Sequence, residues 1–333
     1  MRRTLTAVLA AATLILPLTA CSGDDGPSLT VYSGRTEDLV GPLFERFEAA
    51  TGVKVKVRYG DSAEVSGAVL EEGDRPNADV LIVQDAGNLG QVNDAGRMAT
   101  LPPAIVDRVP VQFRSPEGRW VGLSGRSRVV AYNTDKVQEA DLPATIDGFT
   151  DPRWKGRLAW APTNGSFQAF VTAFRVLEGE DKADAWLRGV KANEPKVFPN
   201  NLTIVEAVGK GEVDAGFVNH YYLYRLQDEG KAGKAENKYF GAGDPGGLVN
   251  VAGAGILKGS KKTAEATRLV EFLLDDESQH YFAESTFELP VVPSVKADPK
   301  LPEIEKLARP AVELSKLDDA KGTVALLTRL SIL

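Results

Sequence analysis

Between residues 29 and 83, short apolar runs alternate with apolar residues at helical spacing, and this alternation constrains the fold more tightly than any other feature. Residues 29–34 form an apolar run closed by Gly34, while Val53, Val55, Val57 and Tyr59 alternate with Lys54, Lys56 and Arg58 at the two-residue period of a strand. Between them Leu39, Val40, Leu43, Phe44 and Phe47 recur at helical spacing, with Gly52 where a helix should stop. Pro42 then fits best in the first turn of that helix. Residues 78–83 read as a third, fully apolar strand. The order β-α-β-α-β implies a mostly parallel sheet covered on both faces, with ligands at the carboxyl ends of its strands.

A second α/β set follows the strand at 129–132. Its expected strands are 158–161, 196–198 and 213–218, and its helices 166–177, 182–191, 202–208 and 222–228. A long apolar strand at 248–257 and a helix at 263–274 complete the pattern. At 333 residues the chain exceeds what one core usually serves, so two domains are expected, with a ligand between them.

Composition narrows the chemistry. A single cysteine excludes an intrachain disulfide framework, a cysteine-ligated zinc site and an iron–sulfur cluster, and two histidines leave little for an imidazole-rich centre. Any metal must rely mainly on oxygen. The net charge of -7, with no dense Lys/Arg cluster, makes nucleic acid a poor partner. The cysteine has its own context. Arg2 and Arg3 precede an apolar stretch over residues 5–16, and Leu18-Thr19-Ala20-Cys21 resembles the bacterial lipobox. That resemblance implies a cleaved signal peptide (1–20), a lipidated Cys21 on the outer face of the cell membrane, and a flexible leash over residues 21–28.

Enzyme signatures fail on inspection. Gly122-Leu123-Ser124-Gly125-Arg126 is not a nucleophile elbow, because its last glycine position holds Arg126. The stretch 241–246 satisfies GxGxxG by letter, yet Pro245 and Gly247 lead into a strand rather than a helix that could hold pyrophosphate. No Walker sequence occurs, and His280 lies in a charged helical stretch as a surface or packing residue. No nucleophile with a partnered base is found, so no enzymatic activity is expected.

The informative stretch is Asn219-His220-Tyr221-Tyr222, directly after a strand. Phenolate oxygen is a hard donor suited to ferric iron. Ionising a tyrosine of pKa about 10 at pH 7 costs roughly 4 kcal/mol, so a phenolate pair needs a strongly charged metal. Adjacent side chains diverge by about 100° on a helix and to opposite faces on a strand, so the two converge only at an irregular junction. Taken alone, the dipeptide is better explained as amphipathic packing at a helix start.

From Leu29 onward the chain resembles the ferric-ion-binding periplasmic proteins of bacterial ABC importers, the bacterial transferrins. The landmarks are residues 31–34, 72–74 with 78–80, 122–130, 154–157, 161–165, 211–214, 219–222 and 289–293. The resemblance implies two α/β lobes of the type II periplasmic-binding-protein fold, each a mixed, mostly parallel sheet, joined by hinge strands at 127–132 and 248–253. It places one lobe at 29–127 plus 253–303 and the other at 128–252 plus 304–333. It implies a monomer that closes on Fe(III) and a synergistic anion, phosphate favoured over carbonate or citrate, and delivers its cargo to an ABC permease and its ATPase. Tyr221 and Tyr222 match the iron-ligating pair. Asn164, Gly165, Ser166, Asn201 and Asn219 match the phosphate cradle, and Arg126 an arginine that contacts the anion. The other lobe departs from the pattern: Thr36 and Gln84 stand where some members have a ligating histidine and glutamate, Glu37 and Asp85 are shifted by one, and Phe167 replaces a third tyrosine. Two phenolates are therefore expected as the whole protein ligation. The alternative is the same fold carrying a phosphonate, sulfate or ferric chelate.

Overall fold

The computed structural model describes residues 26–307 and 309–333; the leader, Cys21 and most of the leash lie outside them. Among the described residues no helix is long and apolar enough to cross a membrane. In chain order the first half runs β1 Ser28–Ser33, α1 Glu37–Thr51, β2 Lys54–Tyr59, α2 Ser62–Glu72, β3 Val80–Val83, α3 Ala86–Asp94, α4 Pro103–Val106 and β4 Val121–Asn133. The second runs β5 Leu158–Trp160, α5 Gly165–Glu178, α6 Glu180–Ala192, β6 Lys196–Val197, α7 Asn201–Gly209, β7 Ala215–Asn219, α8 Tyr221–Asp228 and β8 Ala235–Lys238. Then come β9 Val249–Ile256, α9 Thr263–Leu273, α10 Asp276–Glu284, β10 Leu289–Pro290 and α11 Ala320–Arg329.

The strand order is β2-β1-β3-β9-β4-β7-β5-β6, with β8 and β10 also pairing to β4. The expected parallel strands β1, β2 and β3 are present, and β5, β6 and β7 repeat the arrangement. What joins the two sets is β4, thirteen residues long and buried throughout. Its first part, to Ser127, pairs antiparallel with β9; from Arg128 onward it pairs with β7 and β8. The stretch 122–126, which imitates a nucleophile elbow, is thus strand.

Two cores flank this handover. The first gathers side chains of β1, α1, β3 and β9, and the second is aromatic, with Trp186 packed 5.4 Å from both Phe170 and Phe217 between ring centroids. Ile304, Leu314 and Leu317, expected with the second lobe, pack in the first core; Leu326, Leu327 and Leu330 pack in the second. One local expectation shifts. α1 begins at Glu37, so Pro42 lies inside the helix rather than in its first turn. An interior proline costs about 3 kcal/mol, while each of the five buried residues Leu39, Val40, Leu43, Phe44 and Phe47 is worth roughly 1.5–3 kcal/mol of burial, and packing wins.

Candidate metal and anion site

β7 passes into α8 through one residue, His220, which already has helical backbone angles (φ -59°, ψ -40°). This abrupt junction brings the Tyr221 and Tyr222 rings together, stacked with centroids 4.2 Å apart and planes at 28°. Tyr221 is buried in the first core although it belongs to a helix following a second-lobe strand, and Tyr222 is half-buried against that core and a separate apolar cluster that includes Val129, Ile204 and Val218. α8 also reaches the first lobe at the surface, where Arg225 Nη2 lies 3.4 Å from Asp38 Oδ2. His220 is fully buried, its Nδ1 accepting from Ser127 N–H at 3.2 Å, and burial lowers its pKa to about 3, leaving it neutral.

Three buried arginines surround the tyrosines, and only one was singled out from the sequence. Arg35 follows β1 and donates to Glu288 Oε2 at 2.7 Å. Arg126 Nε stands 3.9 Å from Glu288 Oε1. Arg128 donates from Nη1 to Asn201 Oδ1 at 3.3 Å and Asn219 Oδ1 at 3.1 Å. None of these four charged side chains exceeds 4% exposure; Arg35 and Arg126 share the carboxylate of Glu288, while Arg128 is held by the two asparagines. Among the described residues, Nε and Nη1 of Arg35, Nε and Nη1 of Arg126, and Nη2 of Arg128 have no hydrogen-bond partner. Buried donors in that condition point to an anion as their complement. Burial opposes the charge on Arg35, but Glu288 and the two tyrosines outweigh it and raise its pKa. Burial, reinforced by Arg35, lowers that of Arg126; burial brings Arg128 down to about 9. Tyr221 is pushed well above the ordinary phenol value, first by burial and then by Tyr222, with Arg35 and Arg126 pulling the other way.

The residues expected to cradle an anion are linked in one network. Asn164 Oδ1 caps α5, accepting from Ser166 N–H at 3.1 Å, from Ser166 Oγ at 2.6 Å and from Asn201 Nδ2 at 3.0 Å. Asn219 N–H donates to Asn201 Oδ1 at 3.0 Å. Gly165 opens α5, whose first N–H groups have no partner within the helix and favour negative charge. A cleft of about 590 Å³ runs along these groups, lined by Asn164, Gly165, Ser166, Asn219, Arg126 and Arg128 on one side and Gln84, Asp85 and Asn88 on another. Tyr221, Tyr222 and Asn201 are not among the residues that line it.

The first lobe behaves differently from the second. Gln84 reaches the cleft. Thr36 does not: it is exposed at the N-terminus of α1 and makes no capping bond. Asp85 spends its carboxylate on Asn88, accepting from N at 3.0 Å and Nδ2 at 2.8 Å. Phe167 is buried in the second core, 5.9 Å from the Trp160 ring. Among the described residues no group of three or more His, Cys, Asp or Glu side chains could hold a metal ion. Arg35, Arg128 and Glu288 escaped the sequence reading. For Arg128 there was a signal: it lies two residues from Arg126 on a strand, and that spacing puts both on one face.

Comparison with known proteins extends the description. The family described as "Bacterial extracellular solute-binding protein" matches residues 43–309. The Fe(3+)-binding periplasmic protein of Serratia marcescens is 33% identical over 319 residues, covering 94% of this chain and 93% of its own. Iron-bound HitA from Pseudomonas aeruginosa aligns with a TM-score of 0.86 at 35% identity, over 91% of this chain and 99% of that one. The Trichodesmium protein IdiA (FutA), in complex with iron and citrate, aligns with a TM-score of 0.78 at 27% identity, over 91% and 99%.

Proposed function

The chain belongs to the bacterial extracellular solute-binding protein family, and from that premise we propose that it binds ferric iron with a synergistic anion between its lobes and delivers it to an ABC permease. Cys21 would carry the lipid that holds the receptor at the outer face of the cell membrane. The lobes are taken as 29–127 with 248–317 and 128–247 with 319–333, which moves residues 248–252 and 304–317 to the first lobe because Leu248, Val249, Val251, Ile304, Leu314 and Leu317 pack there.

The observation that carries this reading is the stacked pair Tyr221 and Tyr222 beside three buried arginines with unpartnered N–H groups. Deprotonating both tyrosines costs roughly 8 kcal/mol at neutral pH, before the burial that raises Tyr221 further. A trivalent cation supplies that; magnesium or calcium would favour carboxylates, and no suitable cluster of them is present among the described residues. Ferric iron with two phenolates retains one positive charge, and a dianion reverses it. The excess of buried arginine over Glu288 then offsets the negative complex. Asn164, Gly165, Ser166, Asn219, Arg126 and Arg128 supply donors for the anion, phosphate first, while Asn201 positions Asn219.

The test is anion dependence. Ferric iron offered as a weak chelate should bind more tightly with phosphate than in an anion-free buffer, and Arg128→Ala should reduce that difference. Equal affinity with and without anion would contradict the proposal. Acid should weaken binding, because each iron displaces a proton from each tyrosine: affinity should fall by up to about two log units per pH unit. A flat titration from neutral to mildly acidic pH would exclude phenolate ligation. The cleft volume favours a second reading, a ferric hydroxycarboxylate chelate such as iron-citrate, because about 590 Å³ exceeds what one iron and one phosphate fill. Citrate that stays with the bound iron at equimolar stoichiometry would distinguish it.

A further inference from the structure

We propose that residues 314–323 form a third connection between the lobes, a short tether that limits how far the cleft opens. This rests on the two-lobe reading above, but not on the identity of the cargo. The chain crosses between the lobes twice at adjacent positions: β4 at Ser127 and Arg128, and the start of β9, where Val249 pairs with Ser127. Two adjacent antiparallel crossings define a hinge. They restrain rotation about it weakly.

The third crossing has an anchor on each lobe. On the first lobe, Leu314 and Leu317 are buried in the core. The carbonyl groups of Ser315 and Leu317 lie directly on α3 at Gly90 and Gly87, where a methyl group on either glycine would overlap the carbonyl oxygen. On the second lobe, Asp319 Oδ1 accepts from Gly322 N–H at 2.9 Å and Oδ2 accepts from Arg175 Nη2 at 2.7 Å. Arg175 Nη1 also donates to Asp319 O at 3.1 Å and Thr323 Oγ1 at 2.9 Å, and Thr323 Oγ1 lies 2.7 Å from Thr172 Oγ1 on α5. Between Leu317 and Asp319 stands only Asp318, so the anchors can separate by no more than about 7 Å even when the backbone is fully extended.

The tether also lies off the hinge. α3 stands between it and β9: Leu89 packs toward Gly253 of β9, while Gly87 and Gly90 carry the tether. That displacement is about one helix diameter, roughly 10 Å. Leu317 and Asp318 line the cleft itself, so opening the cleft pulls the anchors apart. At that arm a rotation of a few tens of degrees needs several ångströms of slack, which a one-residue link lacks.

The test lengthens the link without touching either anchor or the tyrosines. Gly-Ser-Gly is inserted after Asp318 in a Cys21→Ser background carrying spin labels at Glu71→Cys and Asp181→Cys, both exposed and on opposite lobes. Without cargo, the parent should give a narrow distance distribution and the insertion variant a broader one reaching longer distances. With ferric iron and phosphate the two should coincide, and transfer of iron to a competing chelator should be about tenfold faster from the variant. Arg175→Ala, which frees the second anchor without adding residues, should shift the cargo-free distances in the same direction and decides the matter if the insertion variant does not fold. Indistinguishable cargo-free distributions in the parent and the folded variant would overturn the tether. Since those distances are read without iron, that failure is separate from failure of the iron reading.

Discussion

Tyr222→Phe is expected to lower ferric affinity by more than about 100-fold while leaving the fold intact, and Tyr221→Phe to do the same. Loss of an outer partner at a metal site typically costs 10–100-fold, and each of these substitutions removes a proposed ligand itself. Phenylalanine preserves the ring, so the stacking at 4.2 Å and the burial of Tyr221 survive. Tyr224→Phe provides the control. That residue lies one turn on along α8, its hydroxyl 3.3 Å from that of Tyr239, and its loss should leave iron affinity within about threefold of the parent. Competition against a chelator of known strength reads all three. An affinity unchanged in both Tyr221→Phe and Tyr222→Phe would remove the phenolates from the site.

Glu288→Ala is expected to have the largest effect on stability, a loss of about 3–5 kcal/mol. Glu288 is fully buried and is paired with both Arg35 and Arg126; Ser124 Oγ and Thr286 Oγ1, each 3.2 Å from Oε2, complete its shell. Truncation leaves two buried guanidinium groups without a counter-charge. Replacing the pair together, as Arg35→Met with Glu288→Leu, should recover part of the loss, because an apolar pair of similar volume avoids the desolvation cost while Arg126 still lacks its counter-charge. Urea midpoints of the parent, the two single variants and the double variant measure this coupling. A loss below about 1 kcal/mol in Glu288→Ala would show that the arginines find other partners.

The pattern of strands and helices was readable where apolar period and stop signals agreed, as in β1, α1, β2 and β3. It failed where a strand draws its stability from a neighbour. β8, with the sequence Ala235-Glu236-Asn237-Lys238, has no apolar alternation and exists because it pairs with residues 130–133 of β4. β4 itself was recognised only at its second-lobe end, because Gly122, Ser124 and Gly125 dilute its apolar signal; a methyl group at Gly122 would press on Phe113 O and Val251 of β9, and one at Gly125 on Ile304.

The site divides in the same way. Tyr221 and Tyr222 stood out as an aromatic run after an apolar strand, but only the family resemblance gave them a ligand role; the structure stacks the two rings at the junction. The asparagines came from the family resemblance; Asn164 and Asn201 stand at helix starts, whereas Asn219 ends β7. Arg35 and Glu288 were not, since they meet across 253 residues of sequence and neither neighbourhood carries a local sign of its partner. Thr36 drew attention by position alone, and the structure leaves it exposed at the start of α1.

The most direct test of ferric binding by the tyrosine pair is the visible spectrum of the protein titrated with ferric iron in phosphate. The account predicts a tyrosinate-to-iron charge-transfer band that saturates at one equivalent of metal and disappears in both Tyr221→Phe and Tyr222→Phe. A parent protein that stays colourless with phosphate, and equally with citrate, would contradict it.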